Sequence, residues 1–277
     1  MNYLNSIFDY NSQEFISTFD ELPLWSAPFG LTLLEFINYK KNLKVLDIGC
    51  GTGFTSLELA QRLGNESLIY CLDPWQAALD RFKQKSDFYN VKNIEIINGK
   101  AENIPFQNDF FDLVISNNGL NNVENLEKAL SECHRTMKKG SQIIFTFNLP
   151  ETFSQFYTVF EKILEKNKLF ITIDKLCEHI FIKRKTIEYM QDILEKSGFE
   201  DNQIIVNSFS YKFVDGTSFL NYYFVKMAFI DSWKLLIPEE YIEKIFAEIE
   251  QELNKQANVN GSLNFHVPYA CFDYKKI

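Results

Sequence analysis

Short apolar runs alternate with longer amphipathic stretches along the first 150 residues of the chain. The apolar runs have the length of strands and lie at about 43–48, 68–72, 94–97, 112–116 and 142–148. Between them apolar residues recur at helical spacing, as at 126–138, where Lys139 and Gly140 are typical of a helix C-terminus. Strands alternating with helices predict an α/β fold with a doubly wound, largely parallel sheet.

The pattern continues after two interruptions. A helix is predicted at 186–197, a sixth strand near 203–209 and a last strand at 263–273. We expect the following organisation: N-terminal cap helices in 1–42, a core in 43–150, a first insertion in 151–185, a core helix and strand in 186–213, a second insertion in 214–262 and a final core strand in 263–277. Both insertions follow the carboxyl ends of strands, where ligands bind in such sheets, so we expect a helical lid.

The second insertion is rich in aromatic residues. They are Phe219, Tyr222, Tyr223, Phe224, Phe229 and Trp233. An aromatic-lined cavity suits an apolar or ring-bearing molecule, and Tyr222 and Tyr223 are the candidates for contacting it. Packing of the insertion on itself, or on a second copy in a homodimer, explains the same pattern equally well.

Three glycines at every second position follow the first predicted strand. Asp47 ends the apolar run, Gly49, Gly51 and Gly53 follow, and a helical pattern begins at once. Strand, glycine turn and helix bring backbone close to a nucleotide. The spacing differs from the dinucleotide fingerprint, since Phe54 stands at the last glycine position, and it lacks the lysine of a phosphate-binding loop.

Polar residues also end the next strands. Asp73, Pro74 and Trp75 follow the second strand, and a carboxylate there suits two vicinal ribose hydroxyls. The run from Gly99 to Phe106 follows the third strand. After the fourth strand come four amides that we expect to act as positioning donors and acceptors, namely Asn117, Asn118, Asn121 and Asn122.

Together these motifs resemble class I S-adenosylmethionine (SAM) methyltransferases of the ubiquinone/menaquinone-type (type 11) group. The resemblance implies a Rossmann-like, seven-stranded sheet whose last strand is antiparallel and lies between the fifth and sixth. It implies SAM as cofactor, with S-adenosylhomocysteine as product. The cofactor-binding residues that it implies are Asp47, Gly49, Cys50, Gly51, Gly53, Asp73, Pro74, Trp75, Ala101, Glu102, Asn117 and Asn118.

The chain departs from the family pattern at two places. Lys100 stands where the family has an acid, and Asn121 and Asn122 stand where a histidine is common. Methyl transfer from a sulfonium is an in-line displacement, so the protein mainly aligns and desolvates the acceptor. His179 is the candidate general base, and a structural histidine is the alternative. Trp25 and Asn121 are further candidates for contacting the acceptor.

Basic residues follow His179. Lys183, Arg184 and Lys185 suit a phosphate or carboxylate on the substrate, although a solvated charged face is the simpler interpretation. The net charge of −9 argues against a nucleic-acid partner. No apolar run approaches 18 residues, so no membrane span is predicted.

Cysteine and histidine usage predicts no metal. The five cysteines form no C-x-x-C pair, and the three histidines lack ligand spacing. We expect reduced, buried thiols and a cytoplasmic protein. The sequence therefore predicts an enzyme that methylates a small apolar or aromatic molecule. A SAM-binding regulator without an acceptor, and a protein or RNA methyltransferase, are the alternatives.

Overall fold

Seven strands form one sheet in the computed structural model, which describes residues 2–22 and 24–277. The strands are β1 (Lys44–Ile48), β2 (Leu68–Asp73), β3 (Ile94–Asn98), β4 (Phe111–Asn117), β5 (Met137–Asn148), β6 (Phe199–Phe213) and β7 (Leu263–Lys276). Met1 and Pro23, which fall within the predicted N-terminal cap, lie outside the described residues.

Helices connect the strands. They are α1 (Gln13–Asp20), α2 (Ser26–Glu35), α3 (Phe54–Leu63), α4 (Gln76–Phe88), α5 (Leu126–Thr136), α6 (Ser154–Lys166), α7 (Phe170–Lys183), α8 (Ile187–Lys196), α9 (Gly216–Asn221), α10 (Tyr223–Val225), α11 (Asp231–Lys234) and α12 (Ile242–Asn260). A π-helical turn, Lys226–Ile230, joins α10 to α11. Short 3-10 turns lie at Asn2–Asn5, Leu120–Asn122 and Glu239–Tyr241.

The strand order is β3-β2-β1-β4-β5-β7-β6. β1 pairs in parallel with β2 and β4, and β4 pairs in parallel with β5. β7 runs antiparallel to β5, with Phe145 opposite Phe272. The prediction of a seven-stranded sheet whose last strand is antiparallel, between the fifth and sixth, is therefore confirmed. The order reverses between β1 and β4, so their carboxyl ends form the crevice where ligands bind in such folds.

The predicted end of the helix at 126–138 was wrong. α5 ends at Thr136, because Met137 has an extended backbone (φ −79°, ψ 147°) and pairs with Phe111 of β4. Met137 is fully buried, so strand pairing and burial outweigh its helical propensity. Gly140, predicted as a C-cap, has φ 77° but lies inside the β5 segment, next to a shift in the β4–β5 register.

The chain divides into two compact units. The sheet unit comprises 9–148, 185–207 and 269–277, and the aromatic unit comprises 2–8, 149–184 and 208–268. The core of the sheet unit contains Val45, Ile115 and Ile144 from three neighbouring strands, with Leu33 and Leu59 from helices α2 and α3. Parallel strands that helices cover have continuous apolar sequences. This is why the first five strands could be predicted from the sequence.

The aromatic unit is held by ring packing. Trp233 stacks on Phe156 with 4.0 Å between ring centroids, and Phe219 stacks on Phe265 at the same distance. Trp233 and Phe219 are fully buried, so these two aromatics of the second insertion form the unit's own core.

Cys177, on α7, is exposed. The prediction of buried thiols was therefore wrong for this residue, because an outward-facing position on a surface helix leaves the side chain in water.

No helix of the described ranges is long and apolar enough to cross a membrane.

Candidate functional site

The loop after β1 has an unusual backbone. Gly49, Gly51 and Gly53 all have positive φ, at 71°, 52° and 83°. The Gly49 N–H donates to the Leu72 carbonyl at 2.8 Å, and the Gly53 N–H donates to the Cys50 carbonyl at 2.8 Å. Residues with side chains rarely adopt positive φ, so the three glycines let the loop turn sharply into α3.

Asp73 fixes this loop from the neighbouring strand. Its Oδ2 accepts from the Gly51 N–H at 2.9 Å, and its Oδ1 accepts from the Trp75 N–H at 2.8 Å. Each carboxylate oxygen keeps a further lone pair for another donor. Burial raises the pKa of Asp73, and the two backbone hydrogen bonds oppose that rise. A Cβ built on Gly51 meets nothing within 4 Å, so open space lies beside this backbone.

Asp47 is buried beneath the loop. It is 1% exposed, and its carboxyl accepts a short hydrogen bond from the Ser56 hydroxyl in the first turn of α3. Burial raises the pKa of Asp47 to about 7, the Ser56 hydrogen bond opposes the rise, and the charge of Asp73 adds to it. Ser56 was not predicted, although a hydroxyl in the first turn of a helix is a recognisable signal. Burial also raises the pKa of the Cys50 thiol, which favours its protonated form.

The loop that follows β4 packs closely against the glycine loop that follows β1. A Cβ on Gly49 would lie 2.4 Å from the Gly119 Cα, and a Cβ on Gly119 would lie 2.2 Å from the Ile48 carbonyl oxygen. The Ser116 hydroxyl donates to the same Ile48 oxygen at 2.8 Å. The loops after β1 and β4 thus touch through backbone. Gly119 was not predicted, because an isolated glycine belongs to no spacing pattern.

Four amides cluster at the end of β4 and β5. Asn117 is engaged on both sides, since its Nδ2 donates to the Ser26 carbonyl at 3.2 Å and its Oδ1 accepts from Thr146 at 3.0 Å. Asn121 Nδ2 donates to Asn148 Oδ1 at 2.7 Å and lies 3.3 Å from Asn118 Oδ1. Asn118 Nδ2 and Asn121 Oδ1 are buried and have no hydrogen-bond partner within the described ranges. Such a donor and acceptor pair suits a polar ligand. Asn148 was not predicted.

The segment after β3 is anchored to the loop before α5. Glu102 Oε1 accepts from the backbone N–H groups of Glu124 and Asn125, at 2.8 and 3.1 Å. Lys100 forms an exposed ion pair with Glu124 at 2.7 Å, and Ala101 is buried. The Lys100 ammonium is thus engaged by Glu124, and the cofactor roles of Ala101 and Glu102 stay predictions.

Trp75 packs on α1. Its indole N–H donates to the Tyr10 carbonyl at 3.0 Å, and its ring lies 5.7 Å from that of Phe19. Pro74 accepts from Asn98 through its carbonyl at 3.2 Å. Trp25 is half-buried at the start of α2, with its ring 5.8 Å from that of Phe29. Contact of Trp75 and Pro74 with the cofactor, and of Trp25 with the acceptor, stays predicted.

Asp20 ties α1 to α4. It accepts from Arg81 at 3.0 Å and forms a short ion pair with Lys85. Burial opposes ionisation, but hydrogen bonds from Lys85 and Thr52 hold the pKa of Asp20 below its usual value. Thr52 belongs to the glycine loop, so Asp20 links the N-terminal segment to that loop. Its role was not predicted.

The remaining predicted site residues lie in the aromatic unit. His179, on α7, is half-buried, and burial followed by the positive charges of Arg184 and Lys183 holds its pKa below the usual value. Tyr222 packs 5.3 Å from Phe213, and Tyr223 lies edge-on to Phe8 at 6.0 Å. Within residues 2–22 and 24–277, no group of three or more His, Cys, Asp or Glu side chains is arranged to hold a metal ion.

The chemistry of the sheet unit fits a ligand with vicinal hydroxyls and an amino-acid group. Asp73 supplies acceptors for hydroxyl donors. The open space at Gly51 admits a ligand against the backbone, and the buried Nδ2 of Asn118 needs an acceptor. These features agree with the nucleoside and amino-acid parts of SAM.

Comparison with known proteins agrees with this geometry. The family model Methyltransf_11, described as a methyltransferase domain, matches residues 46–145, which run from the middle of β1 into β5. The chain is 27% identical to a demethylmenaquinone methyltransferase of Staphylococcus epidermidis over 75% of this chain and 88% of that protein.

Solved structures share the fold. The YcgJ protein of Bacillus subtilis superposes with a TM-score of 0.57 at 16% identity, over 90% of this chain and 98% of that chain. A Haemonchus contortus phosphoethanolamine N-methyltransferase in complex with SAM superposes with a TM-score of 0.54 at 16% identity, over 89% of this chain and 52% of that one. At such identities the similarity concerns the fold alone.

Proposed function

We propose that this chain is a class I SAM-dependent methyltransferase of the ubiquinone/menaquinone-type group, as its similarity to a methyltransferase domain and to a demethylmenaquinone methyltransferase supports, and that it methylates a small, largely apolar, ring-bearing molecule of the quinone kind. The observation that carries SAM binding, and with it methyl transfer, is the backbone of Gly51, which Asp73 holds at 2.9 Å and which has open space where a side chain would lie. A relative named for demethylmenaquinone, aligned over most of its length, supports the acceptor class.

The residues of the sheet unit would hold the cofactor in distinct ways. Bound SAM supplies a methyl group already activated by its sulfonium. Asp73 would bind ribose hydroxyls, and the Gly49–Gly53 backbone would lie against the amino-acid part. Ala101 and Glu102 would border the adenine, and Asn118 Nδ2 would donate to a cofactor oxygen. Asp47, which is buried, would act through the loop rather than by contact.

Positioning and exclusion of water would supply most of the rate enhancement, because the methyl donor needs no further activation. Asn121 presents a buried acceptor atom to align the methyl acceptor. Asparagine takes up no proton at neutral pH, so a hydroxyl acceptor would need another base. We propose His179 for this role, because its lowered pKa favours the neutral imidazole that accepts a proton.

A labelling experiment tests the proposed acceptor class. Purified protein is incubated with methyl-labelled SAM and a demethylmenaquinone, and in parallel with host-cell extract separated into small-molecule, protein and RNA fractions. We expect label in the quinone and in the small-molecule fraction. Label confined to protein or RNA would overturn the small-molecule acceptor, and an unlabelled quinone beside a labelled small molecule would overturn the quinone class.

Variants test the proposed base and the proposed acceptor contacts. His179→Ala is expected to lower kcat with the Kd for SAM unchanged, whereas an unchanged kcat removes His179 from the mechanism. Tyr222→Ala and Tyr223→Ala are expected to raise the KM for the acceptor with SAM affinity intact. Equal loss of both would argue against the contact. The cytoplasmic location and the homodimer stay predictions.

A further inference from the structure

Three buried polar side chains meet in the aromatic unit with more donors than acceptors. Trp233 Nε1 donates to the Tyr157 hydroxyl oxygen at 3.0 Å, and Arg184 Nη1 donates to the same oxygen at 3.2 Å. Indole and guanidinium groups are donors only, so the tyrosine oxygen accepts both bonds and its own O–H needs another acceptor. Within the described ranges neither this O–H nor the buried Arg184 Nε–H has an acceptor.

Arg184 is also a buried charged residue. The residue is 3% exposed, and no carboxylate pairs with it in the part of the chain that the structure describes. Arginine is seldom fully buried unless it is paired, because desolvating a charge costs much free energy. Lys183, the preceding residue, is also a cation, and burial followed by the positive charges of Arg184 and Lys183 holds the pKa of His179 below its usual value.

Aromatic rings compensate this charge only in part. The guanidinium carbon lies over the Tyr157 ring at 5.2 Å and over the Phe229 ring at 5.9 Å from the centroids. Such contacts stabilise the cation through the flat faces of the rings, but they accept none of the N–H groups along its edge. A planar oxyanion would accept along that edge and neutralise the charge at the same time.

We propose that Tyr157 and Arg184 form a binding site for an oxyanion, a carboxylate or phosphate borne by a small ring-bearing molecule. Arg184 donates through Nε, and the Tyr157 hydroxyl donates its free proton to the same anion. Phe229 and Trp233 provide aromatic surroundings for the ring. Arg184 directly follows the exposed Lys183 at the end of α7, so the site lies just beneath the surface. The site does not depend on the proposed methyl acceptor.

Calorimetry with three related probes tests the site. The probes are 2-naphthoate, 2-naphthyl phosphate and the neutral 2-naphthamide, each added to the full-length protein. We expect at least one anionic probe to bind at least tenfold more tightly than the amide, and the tighter of the two identifies the group. The pKa of His179, followed by NMR, should rise on binding, because the anion offsets the positive charges beside it. Failure of both anions to bind would overturn the proposal.

Matched variants separate binding from structure. Arg184→Gln is expected to weaken the anionic probe at least tenfold and to leave the melting temperature unchanged or higher, since it removes a buried unpaired charge. Lys183→Gln removes the neighbouring exposed charge and should retain binding. Should Arg184→Gln not fold, Tyr157→Phe replaces it, with weaker binding expected. Binding unaltered in both Arg184→Gln and Tyr157→Phe would overturn the site. Methyl-labelled SAM added with the bound probe then tells an acceptor from a ligand that is not methylated.

Discussion

The N–H of Gly51 donates to Oδ2 of Asp73 at 2.9 Å, so the carboxylate that ends β2 holds the glycine loop that follows β1. The same carboxylate holds the N–H of Trp75 at the start of α4. One side chain therefore fixes the two backbone segments that border the predicted nucleoside site, and it keeps lone pairs for a ligand. This arrangement makes the geometry of the loop and the affinity for SAM depend on the same group.

Asp73→Asn tests this dependence. The amide oxygen replaces one carboxylate oxygen, but the NH2 group faces a backbone N–H that needs an acceptor. We expect the affinity for SAM to fall at least tenfold, about 1.4 kcal/mol, as measured by calorimetry. Asp80→Asn makes the same chemical change at an exposed position of α4 and should retain affinity. Equal affinity of Asp73→Asn and wild type would contradict the role of Asp73.

Gly51→Ala separates strain from contact with the ligand. The added methyl group meets no protein atom within 4 Å, but alanine at φ 52° costs about 1 kcal/mol of stability. We expect that modest loss in urea denaturation, together with a much larger loss of SAM affinity, because the methyl group fills space beside the loop. Gly140→Ala carries similar strain, at φ 77° with nothing within 4 Å, outside the glycine loop. A SAM affinity that falls equally in both variants would rule out a direct approach of ligand to Gly51.

Local sequence was enough to predict the loop residues. Asp47, Gly51 and Asp73 stand at ends of apolar runs, so each is identified by its position relative to a strand. Gly119 and Asn148 are different, because Gly119 meets Ile48 and Asn148 meets Asn121 only after the sheet has formed. Such residues are identified only by their contacts with residues distant in sequence, and a local sequence pattern does not show these contacts.

The same distinction explains the fold. The position of the last strand, antiparallel between the fifth and the sixth, followed from the resemblance, and it was confirmed. The end of α5 was not predictable, because Met137 leaves the helix to pair with Phe111, 26 positions earlier. Arg184 shows a similar limit, since a run of three basic residues favoured a solvated face, whereas packing buries the middle one. Burial of a single charge depends on aromatic residues from other segments.

Asp47 makes the free energy of unfolding depend on pH. Its pKa rises from 3.8 to about 7 on burial, so folding takes up a proton between these values. The contribution of Asp47 is therefore fully present at low pH and is lost as pH rises toward 7, by at most about 1.4 kcal/mol per pH unit. We expect the unfolding free energy of wild type, relative to Asp47→Asn, to decrease from pH 5 to 7 and then level off. Denaturation in urea across this range measures the difference.

The control for Asp47 is again Asp80→Asn, which removes an exposed carboxylate. Its difference from wild type provides the baseline over the same pH range. A difference between wild type and Asp47→Asn that stays constant from pH 5 to 8 would show that Asp47 keeps one protonation state there, contrary to the expectation from its burial.

Gly119→Ala tests the contact between the loops after β1 and β4. A methyl group there would lie 2.2 Å from the Ile48 carbonyl oxygen and 2.8 Å from the Gly49 Cα, and neither backbone segment can move without disturbing the glycine loop. We expect a loss of about 3 kcal/mol or more in unfolding free energy, as for overpacking against rigid neighbours. Gly99→Ala is the matched variant, because its methyl group meets the flexible Leu72 side chain at 2.8 Å. Gly99→Ala should lower the unfolding free energy markedly less than Gly119→Ala. An equal loss in both variants would show that the two loops can shift to accommodate a methyl group as easily as the Leu72 side chain can.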